Sequence, residues 1–300
     1  MPLDPQFNDI IAMMRAMPPL STLPIEMIRS APVPENPNPT PVDAVRNETI
    51  PGPGGKMPIR IYRKGTGTLP LLLFIHGGGF VVGSPDTHDE MARALTAQTG
   101  CVTVSVDYRL GPEHPYPAAP DDCFAALKWA FAHARDLGAD AARMAVAGDS
   151  AGGNLAAVMA LRARDEGGPA LKAQLLIYPV TDMTAELKPA PDGEFYIINP
   201  QETGFFHRSY LGDGARKREP YASPAFAKSL RGLPPALVIV AEYDPLCPQG
   251  EAYAKRLKDE GVETELVNYK AAPHGFMSFP VPMGKEGLAQ SARWLKPRLV

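Results

Sequence analysis

A serine flanked by glycines is the first candidate for chemistry in this sequence. Ser150 is the central residue of the pentapeptide Gly-Asp-Ser-Ala-Gly, residues 148–152, which lies between a short apolar segment and a segment with helical periodicity. The pattern G-x-S-x-G between a strand and a helix is typical of a nucleophile elbow, a strained turn that exposes the serine hydroxyl. We therefore predict that Ser150 is a catalytic nucleophile.

A glycine-rich stretch could supply the hydrogen-bond donors that such a nucleophile needs. Residues 76–79, His-Gly-Gly-Gly, directly follow the apolar run 71–75, and glycines allow backbone N–H groups to approach a ligand closely. We predict an oxyanion hole formed by the N–H groups of Gly78, Gly79 and Ala151. A phosphate-binding loop is disfavoured, because neither G-x-x-x-x-G-K-[ST] nor G-x-G-x-x-G occurs here.

A serine nucleophile needs a base, and chain order narrows the choice. In hydrolases with this elbow the acid and then the histidine follow the serine. Of the six histidines, only His207 and His274 follow Ser150. His274 comes just after the strand-like segment 263–269, whereas His207 lies in a long segment between two strands. We predict that His274 accepts the serine proton.

The other histidines receive structural interpretations. We expect His76 to anchor the glycine loop, His88 and His133 to be solvated or to cap helices, and His114 to lie in a proline-rich loop. No H-E-x-x-H motif occurs, and no two histidines lie three to five residues apart. We therefore expect neither a metal nor a cofactor.

The acid that orients the histidine is predicted to be Asp244, which follows the apolar run 236–241 within three residues. Asp182 follows another strand-like run, 171–178, and remains the alternative. Asp149, beside the nucleophile, is expected to be a hydrogen-bonded part of the turn.

These motifs follow segments that alternate between strand-like and helix-like patterns. The strand-like segments are 57–63, 71–75, 101–106, 144–147, 171–178, 236–241 and 263–269, and the helix-like ones are 87–99, 121–137, 150–165, 248–260 and 283–295. The alternation predicts an α/β fold with a mostly parallel central sheet and helices on both faces. We expect Thr87 and Glu90 to form a capping box, and segment 263–269 to be an edge strand.

Two regions interrupt the alternation. Residues 181–221 contain the aromatic stretch 205–210, and residues 1–42 place apolar side chains at helical spacing, at Phe7, Ile10, Ile11, Met14 and Met17. Both regions could be plain surface helices, or they could pack together as a cap over the carboxyl ends of the strands.

Composition excludes several classes of protein. The net charge is −3 and no long Lys/Arg run occurs, so we expect no nucleic-acid partner and no polybasic membrane surface. No apolar run approaches the roughly 18 residues of a membrane helix, and no signal peptide is recognisable. The three cysteines form no CxxC pair, which disfavours a disulfide framework and fits a cytoplasmic protein.

Five motifs, taken together, carry a family resemblance. They are HGGGF (76–80), DYRLGPEHPYPAA (107–119), GDSAGGNLAA (148–157), AEYDPL (241–246) and HGF (274–276). With them the chain resembles the hormone-sensitive-lipase-like esterases, the bacterial family IV branch of the α/β-hydrolases. The resemblance implies an α/β-hydrolase domain, 43–180 and 222–300, with a discontinuous helical cap, 1–42 and 181–221. It implies a cofactor-free serine carboxylesterase that hydrolyses short- to medium-chain acyl esters through an acyl-enzyme.

The resemblance implies the same triad, Ser150, Asp244 and His274, and a scaffold role for residues that match the family's YRLxPE stretch, namely Asp107, Arg109 and Glu113. The sequence departs from the family pattern at two places. Gly111 replaces the usual alanine, which we expect to loosen the loop. Residues 247–249, Cys-Pro-Gln, replace Arg-Asp-Glu after the acid, which puts in doubt any additional acidic support of His274.

Two functional alternatives remain open. The plant gibberellin receptors resemble this family but lack the catalytic histidine, so the presence of His274 argues against a non-catalytic receptor. An amidase or lactonase would use the same triad and is not distinguished by it. We expect a small-molecule ester as the partner, no stable membrane insertion, and either a monomer or a homodimer paired through segment 263–269.

Overall fold

Eight strands form one sheet in the computed structural model, which describes residues 2–300. The strands are β1 Ala44–Gly52, β2 Gly55–Arg63, β3 Leu69–Ile75, β4 Val102–Val106, β5 Ala139–Asp149, β6 Ala173–Ile177, β7 Ala236–Tyr243 and β8 Thr264–Pro273. The α-helices are α1 Asn8–Ala16, α2 Ile25–Arg29, α3 Asp89–Thr99, α4 Ala118–Ala132, α5 Ala151–Asp165, α6 Pro200–Leu211, α7 Cys247–Asp259 and α8 Pro282–Leu295.

The strand order is β1-β2-β4-β3-β5-β6-β7-β8. Strand β2 is antiparallel to both β1 and β4, and all pairs from β4 to β8 are parallel. The predicted mostly parallel sheet is therefore confirmed, as is the edge position of β8. Because β3, β5, β7 and β8 run in one direction, the motifs that follow them meet at one edge of the sheet.

The sheet is buried on both faces, which explains the continuous apolar runs. Along β3, the side chains of Leu71, Leu73 and Ile75 enter a core layer that also contains residues of α4, α5 and α7. Leu72 and Phe74 point to the opposite layer, which contains residues of α3 and α8. The period of two along the strand divides its residues between the two layers.

The sequence did not predict strand β1. Most of its residues are exposed, and Ile50 is the buried exception. An edge strand with so little apolar surface carries no hydrophobic alternation for sequence analysis to detect.

The predicted capping box at the start of α3 is wrong. The helix begins at Asp89, and no side chain caps its N-terminus. The Thr87 hydroxyl instead exchanges hydrogen bonds with the backbone of Ser84, accepting from its N–H at 2.9 Å and donating to its carbonyl at 2.9 Å. Glu90 accepts hydrogen bonds from the side chain and the backbone N–H of Thr40. Thr87 therefore closes a local turn rather than a helix end.

The N-terminal segment folds into helix α1, as its apolar spacing predicted. Phe7, just before the helix, and Ile11 within it are buried in the same core layer as Phe276 and Met277, next to β8. Met17, which closes the apolar pattern, is exposed. No helix among residues 2–300 combines the length and the apolar character required to cross a bilayer.

A buried carboxylate ties the loop after β4 to helix α4. Asp122 accepts hydrogen bonds from the Arg109 backbone N–H at 3.0 Å, from Nε at 2.8 Å and from Nη2 at 2.9 Å. The Asp122 side chain is buried, whereas that of Arg109 is partly exposed. Arg109 thus has the scaffold position that the family resemblance implied.

We predict that Asp122→Ala lowers the free energy of unfolding by about 3 kcal/mol, because it removes a buried carboxylate that accepts three hydrogen bonds and leaves the Arg109 backbone N–H without this acceptor. Urea denaturation measures this change. Asp136→Ala, at an exposed position after α4, is the matched control and should change stability by no more than about 0.5 kcal/mol. A loss below about 1 kcal/mol for Asp122→Ala would contradict the prediction.

Candidate active site

Ser150 lies in a strained turn between β5 and α5. Its backbone has φ 54° and ψ −115°, a region that costs a non-glycine residue on the order of 1–3 kcal/mol. The Ser150 N–H donates to the carbonyl of Ile177 in β6 at 2.8 Å. A Cβ on Gly148 would overlap the carbonyl of Gly152, and a Cβ on Gly152 would overlap the carbonyl of Ile75. The turn is therefore possible only because residues 148 and 152, two positions before and after Ser150, are both glycines.

Three side chains from separate parts of the sequence form one hydrogen-bonded chain. His274 Nε2 lies 2.9 Å from Ser150 Oγ, and His274 Nδ1 lies 2.7 Å from Asp244 Oδ2. Both Asp244 and His274 are buried. Because an ionised carboxylate can only accept, Nδ1 carries the proton in this arrangement and Nε2 is free to accept from the serine hydroxyl.

The strands place these residues. Asp244 directly follows β7, and His274 directly follows β8. The second oxygen of Asp244 accepts from the Leu246 N–H at 2.8 Å, so that both carboxylate oxygens are engaged. The Tyr178 ring packs edge-to-face with the imidazole of His274, with the ring centroids 4.9 Å apart. Packing and hydrogen bonds together fix the orientation of the imidazole.

The glycine loop after β3 lies against the elbow. The Gly77 N–H donates to Asp149 Oδ1 at 2.9 Å. The N–H groups of Val81 and Val82 donate to the Gly78 carbonyl at 3.1 and 2.9 Å and close a turn, which we call the oxyanion turn, residues 78–82. Gly78 and Gly79 both have positive φ, 113° and 60°.

The three N–H groups predicted to bind an oxyanion are available. Within residues 2–300, those of Gly78 and Gly79 donate to no protein acceptor. Ala151 is the first residue of α5, so its N–H has no partner inside the helix. Unpaired N–H groups at a helix start favour a nearby negative charge.

Sequence reasoning missed the role of His88. His88 occupies the N-cap position of α3, but its side chain forms no capping hydrogen bond and is only 11% exposed, so the side chain neither is solvated nor caps the helix. His88 Nε2 lies 3.4 Å from Asp149 Oδ1 and 3.3 Å from the Gly77 nitrogen. Burial alone raises the pKa of Asp149, but His88, together with His76 and the Gly77 N–H, lowers it below its usual value. No sequence motif marks this contact, which arises from the packing of α3.

Two other carboxylates near the strand ends do not reach His274. Asp182 Oδ1 accepts from the N–H and the hydroxyl of Thr184, both at 2.7 Å. Glu242 accepts from the Ala271 N–H at 2.9 Å. Asp244 is therefore the carboxylate that the fold brings to the imidazole, and Asp182, the alternative acid, lies elsewhere.

Of the residues that replace the family's Arg-Asp-Glu, Gln249 supports the backbone. Gln249 Oε1 accepts from the N–H groups of Thr181 and Asp182 at 2.7 and 2.8 Å, and so holds the chain after β6. Cys247 Sγ lies 3.5 Å from the Asn268 side-chain nitrogen. Neither residue forms a hydrogen bond with His274 among the described residues.

The expectation that Gly111 loosens its loop is wrong. Its N–H donates to the Phe80 carbonyl at 2.9 Å, and its own carbonyl accepts from Arg29 Nη2 at 2.6 Å. A Cβ at this position would overlap the carbonyl of Ser209 in α6. Glycine therefore permits a closer approach of α6 instead of adding freedom.

His76 anchors the glycine loop, as expected. Its Nδ1 lies 2.7 Å from the Gly77 carbonyl oxygen, and its ring stacks on Tyr108 with the centroids 4.3 Å apart. Complete burial lowers the pKa of His76 to about 3, so the imidazole is neutral at physiological pH. Among residues 2–300, no cluster of three or more His, Cys, Asp or Glu side chains is arranged to hold a metal ion.

Comparisons with known proteins agree with this architecture. The profile of a protein family described as alpha/beta hydrolase fold matches residues 72–278. The chain is 45% identical to "Carboxylic ester hydrolase LipN" of Mycobacterium tuberculosis over 78% of this chain and 64% of that protein. It therefore spans slightly less than two thirds of that relative. It is 41% identical to "Carboxylesterase NlhH" of the same species, over 81% of this chain and 79% of that protein.

A solved structure extends the similarity to the whole chain. The hyperthermophilic esterase of the archaeon Pyrobaculum calidifontis superposes with a TM-score of 0.92 at 40% identity, over 99% of both chains. The central sheet and its flanking helices are therefore those of the α/β-hydrolase fold.

We predict that His76 contributes to acid destabilisation. The unfolded chain binds a proton near pH 6.5, whereas folded His76 does so only near pH 3. Its contribution is therefore complete above about pH 6.5 and is lost as the pH falls toward 3. Between pH 6.5 and 5, the free energy of unfolding of His76→Phe should fall less steeply than that of the unmutated protein. The two slopes, measured by urea denaturation, should differ by about 1 kcal/mol per pH unit. The exposed His114→Phe is the control, and equal slopes for His76→Phe and the unmutated protein would refute this role.

Proposed function

This chain belongs to the α/β-hydrolase family, in its hormone-sensitive-lipase-like branch, and from that premise we propose that it is a serine carboxylesterase of short- to medium-chain acyl esters. The observation that carries the proposal is the continuous hydrogen-bonded chain from Ser150 through His274 to Asp244. Such a chain activates a hydroxyl that is otherwise a weak nucleophile.

In the first half of the reaction, Ser150 Oγ attacks the ester carbonyl carbon while its proton moves to His274 Nε2. The carbonyl oxygen becomes an oxyanion, which accepts hydrogen bonds from the N–H groups of Gly78, Gly79 and Ala151. One such donor is typically worth about 3–4 kcal/mol in the transition state. The tetrahedral intermediate then collapses, His274 protonates the departing alkoxide, and the acyl group remains on Ser150.

In the second half, a water molecule takes the place of the alcohol. His274 accepts a proton from the water, whose oxygen attacks the acyl carbonyl, and the same donors bind the second oxyanion. Collapse returns the proton to Ser150 Oγ and releases the carboxylic acid. Asp244 stays ionised throughout, holding the imidazole in its productive tautomer and stabilising the imidazolium.

We further propose that residues 1–42 and 181–221 form a discontinuous cap on a catalytic domain of residues 43–180 and 222–300. The two cap segments are in contact, since the Ser21 hydroxyl donates to Glu202 at 3.1 Å. The second segment also reaches the glycine loop. The Phe206 ring lies so close to Gly79 that a Cβ there would overlap it.

The position of Phe206 supports the preference for shorter acyl chains. Its ring lies against the oxyanion turn, where the carbonyl of a bound ester would lie. An aromatic ring here offers apolar contact to an acyl chain and at the same time limits the space around the carbonyl. The adjacent Phe80 and Tyr210 rings stack with the centroids 3.9 Å apart, which anchors α6 over this part of the loop.

We predict that Ser150→Ala lowers kcat by roughly 10⁴–10⁶-fold on p-nitrophenyl butyrate, because it removes the attacking oxygen. Thermal unfolding of the variant should show an intact fold, which separates loss of chemistry from loss of structure. An organophosphonate should label the unmutated protein once per chain and leave the variant unlabelled, with mass spectrometry as the readout.

Other outcomes of these assays would point elsewhere. A Ser150→Ala variant that keeps the kcat of the unmutated protein would refute Ser150 as the nucleophile. An unmutated protein that is neither labelled nor active on esters would favour a ligand-binding role. Faster turnover of amides or lactones than of matched esters would indicate an amidase or a lactonase that uses the same triad.

We predict that kcat/KM in a series of p-nitrophenyl esters is highest for butyrate or hexanoate and falls toward palmitate, because Phe206 restricts the acyl site. Phe206→Ala should move the maximum toward longer chains, since it opens space next to the oxyanion turn. Phe131→Ala, at an exposed position on α4, is the matched control. A maximum at palmitate in the unmutated protein would contradict the predicted range.

A further inference from the structure

Arg29, the last residue of α2, connects the N-terminal segment to two loops beside the active site. Its Nε donates to the Val81 carbonyl at 2.8 Å, and its Nη2 donates to the Gly111 carbonyl at 2.6 Å. Both oxygens of Glu113 accept from it, one from Nη1 at 2.9 Å and one from Nη2 at 3.0 Å. All three guanidinium nitrogens are therefore engaged.

The contact with Val81 reaches the oxyanion turn. The N–H groups of Val81 and Val82 close this turn on the Gly78 carbonyl, and Val81 is completely buried. The peptide groups that present the Gly78 and Gly79 N–H groups therefore belong to the same short turn that Arg29 holds at its far end. A shift of Val81 would change the direction of both donors.

The contact with Gly111 connects the loop after β4 to the same Arg29 guanidinium. The Gly111 N–H donates to the Phe80 carbonyl, so this loop is bonded to the oxyanion turn on one side and to Arg29 on the other. The backbone of α6 packs against Gly111 at Ser209. The Arg29 guanidinium thus lies where the oxyanion turn and the loop after β4 meet both proposed cap segments.

The charge pair alone would not make Arg29 important. Its side chain is 28% exposed and that of Glu113 is 47% exposed, and ion pairs with this exposure contribute little to stability. The hydrogen bond from Arg29 lowers the pKa of Glu113 below its ordinary value. The distinctive feature is the fork geometry, in which the bidentate carboxylate orients the guanidinium toward two backbone carbonyls.

We propose that Arg29 is a positioning residue for the oxyanion hole. Its guanidinium holds the oxyanion turn so that the Gly78 and Gly79 N–H groups point at the developing negative charge. This inference rests on the proposed esterase function, because it assigns a support to the oxyanion hole of that same site.

The central test is Arg29→Met, which keeps an unbranched side chain as far as the position of Nε and removes all four hydrogen bonds. On p-nitrophenyl butyrate, kcat should fall about 10- to 100-fold while KM changes less than about threefold, because misaligned donors weaken the transition state more than the bound substrate. The inhibition constant of an alkyl trifluoromethyl ketone, which forms a tetrahedral oxyanion on the serine, should rise by a similar factor. Arg293→Met removes an exposed ion pair with Glu286 and should change neither quantity.

Two graded variants separate the hydrogen bonds from the charge. Arg29→Lys keeps the charge but cannot reach three acceptors in fork geometry, so its loss of kcat should approach that of Arg29→Met. Glu113→Gln leaves the bonds to Val81 and Gly111 in place and should lower kcat only about two- to fivefold. If Arg29→Met fails to fold, as judged by circular dichroism and thermal unfolding, Arg29→Lys carries the same readouts.

The possible failures are distinguishable. If the unmutated protein hydrolyses esters while Arg29→Met and Arg29→Lys keep its kcat and ketone affinity, the positioning role is wrong and the esterase function stands. A lower melting temperature or a shifted acyl-chain preference without loss of kcat would likewise overturn it. An unmutated protein that hydrolyses no ester would instead contradict the proposed function.

Discussion

The 2.7 Å hydrogen bond between Asp244 and His274 Nδ1 is the interaction on which the rest of the site depends. A carboxylate can only accept, so it assigns the proton to Nδ1 and leaves Nε2 as the acceptor that faces Ser150. This works only if β5, β7 and β8 end at the same level of the sheet, because each of the three residues directly follows one of these strands. The parallel register of the sheet is therefore a condition of the proposed chemistry, and the apolar runs that form the strands stabilise the site indirectly.

The strain at Ser150 is the local cost of this arrangement. A positive φ at a serine is unfavourable by itself, but β5 and α5 fix the chain on both sides, and their buried residues supply far more stabilisation than the turn consumes. The close approach of Gly152 to the Ile75 carbonyl adds a second consequence. It brings the end of β3, and with it the glycine loop, next to the elbow. The proposed nucleophile and the proposed oxyanion donors are thus held together by backbone packing as well as by the Gly77–Asp149 hydrogen bond.

Sequence analysis succeeded where a local pattern of residues is enough to determine the structure of a segment. Alternation predicted β2, and short strand-like segments predicted β3 to β8; the continuous apolar runs of β3 and β7, which are buried on both faces, are recognisable without knowledge of their neighbours. The residues of the proposed triad could be selected because each follows such a run in a known chain order. Sequence analysis failed where the position of a residue depends on partners distant in sequence, or where one local hydrogen bond forms in preference to another. His88 reaches Asp149 only through the placement of α3, β1 has little apolar surface, and Thr87 bonds to Ser84 in preference to capping α3.

The two departures from the family pattern, at Gly111 and at residues 247–249, can be understood from the contacts that these residues make with the backbone. Gln249 accepts two backbone N–H groups with a neutral amide, where the family commonly has a glutamate. A neutral amide therefore suffices to hold the chain after β6, and Asp244 is the carboxylate in contact with the imidazole. Gly111 removes a methyl group where α6 meets the loop after β4. That closer contact brings α6 to the same loop that Arg29 contacts from α2, so that both proposed cap segments touch the loop that is bonded to the oxyanion turn.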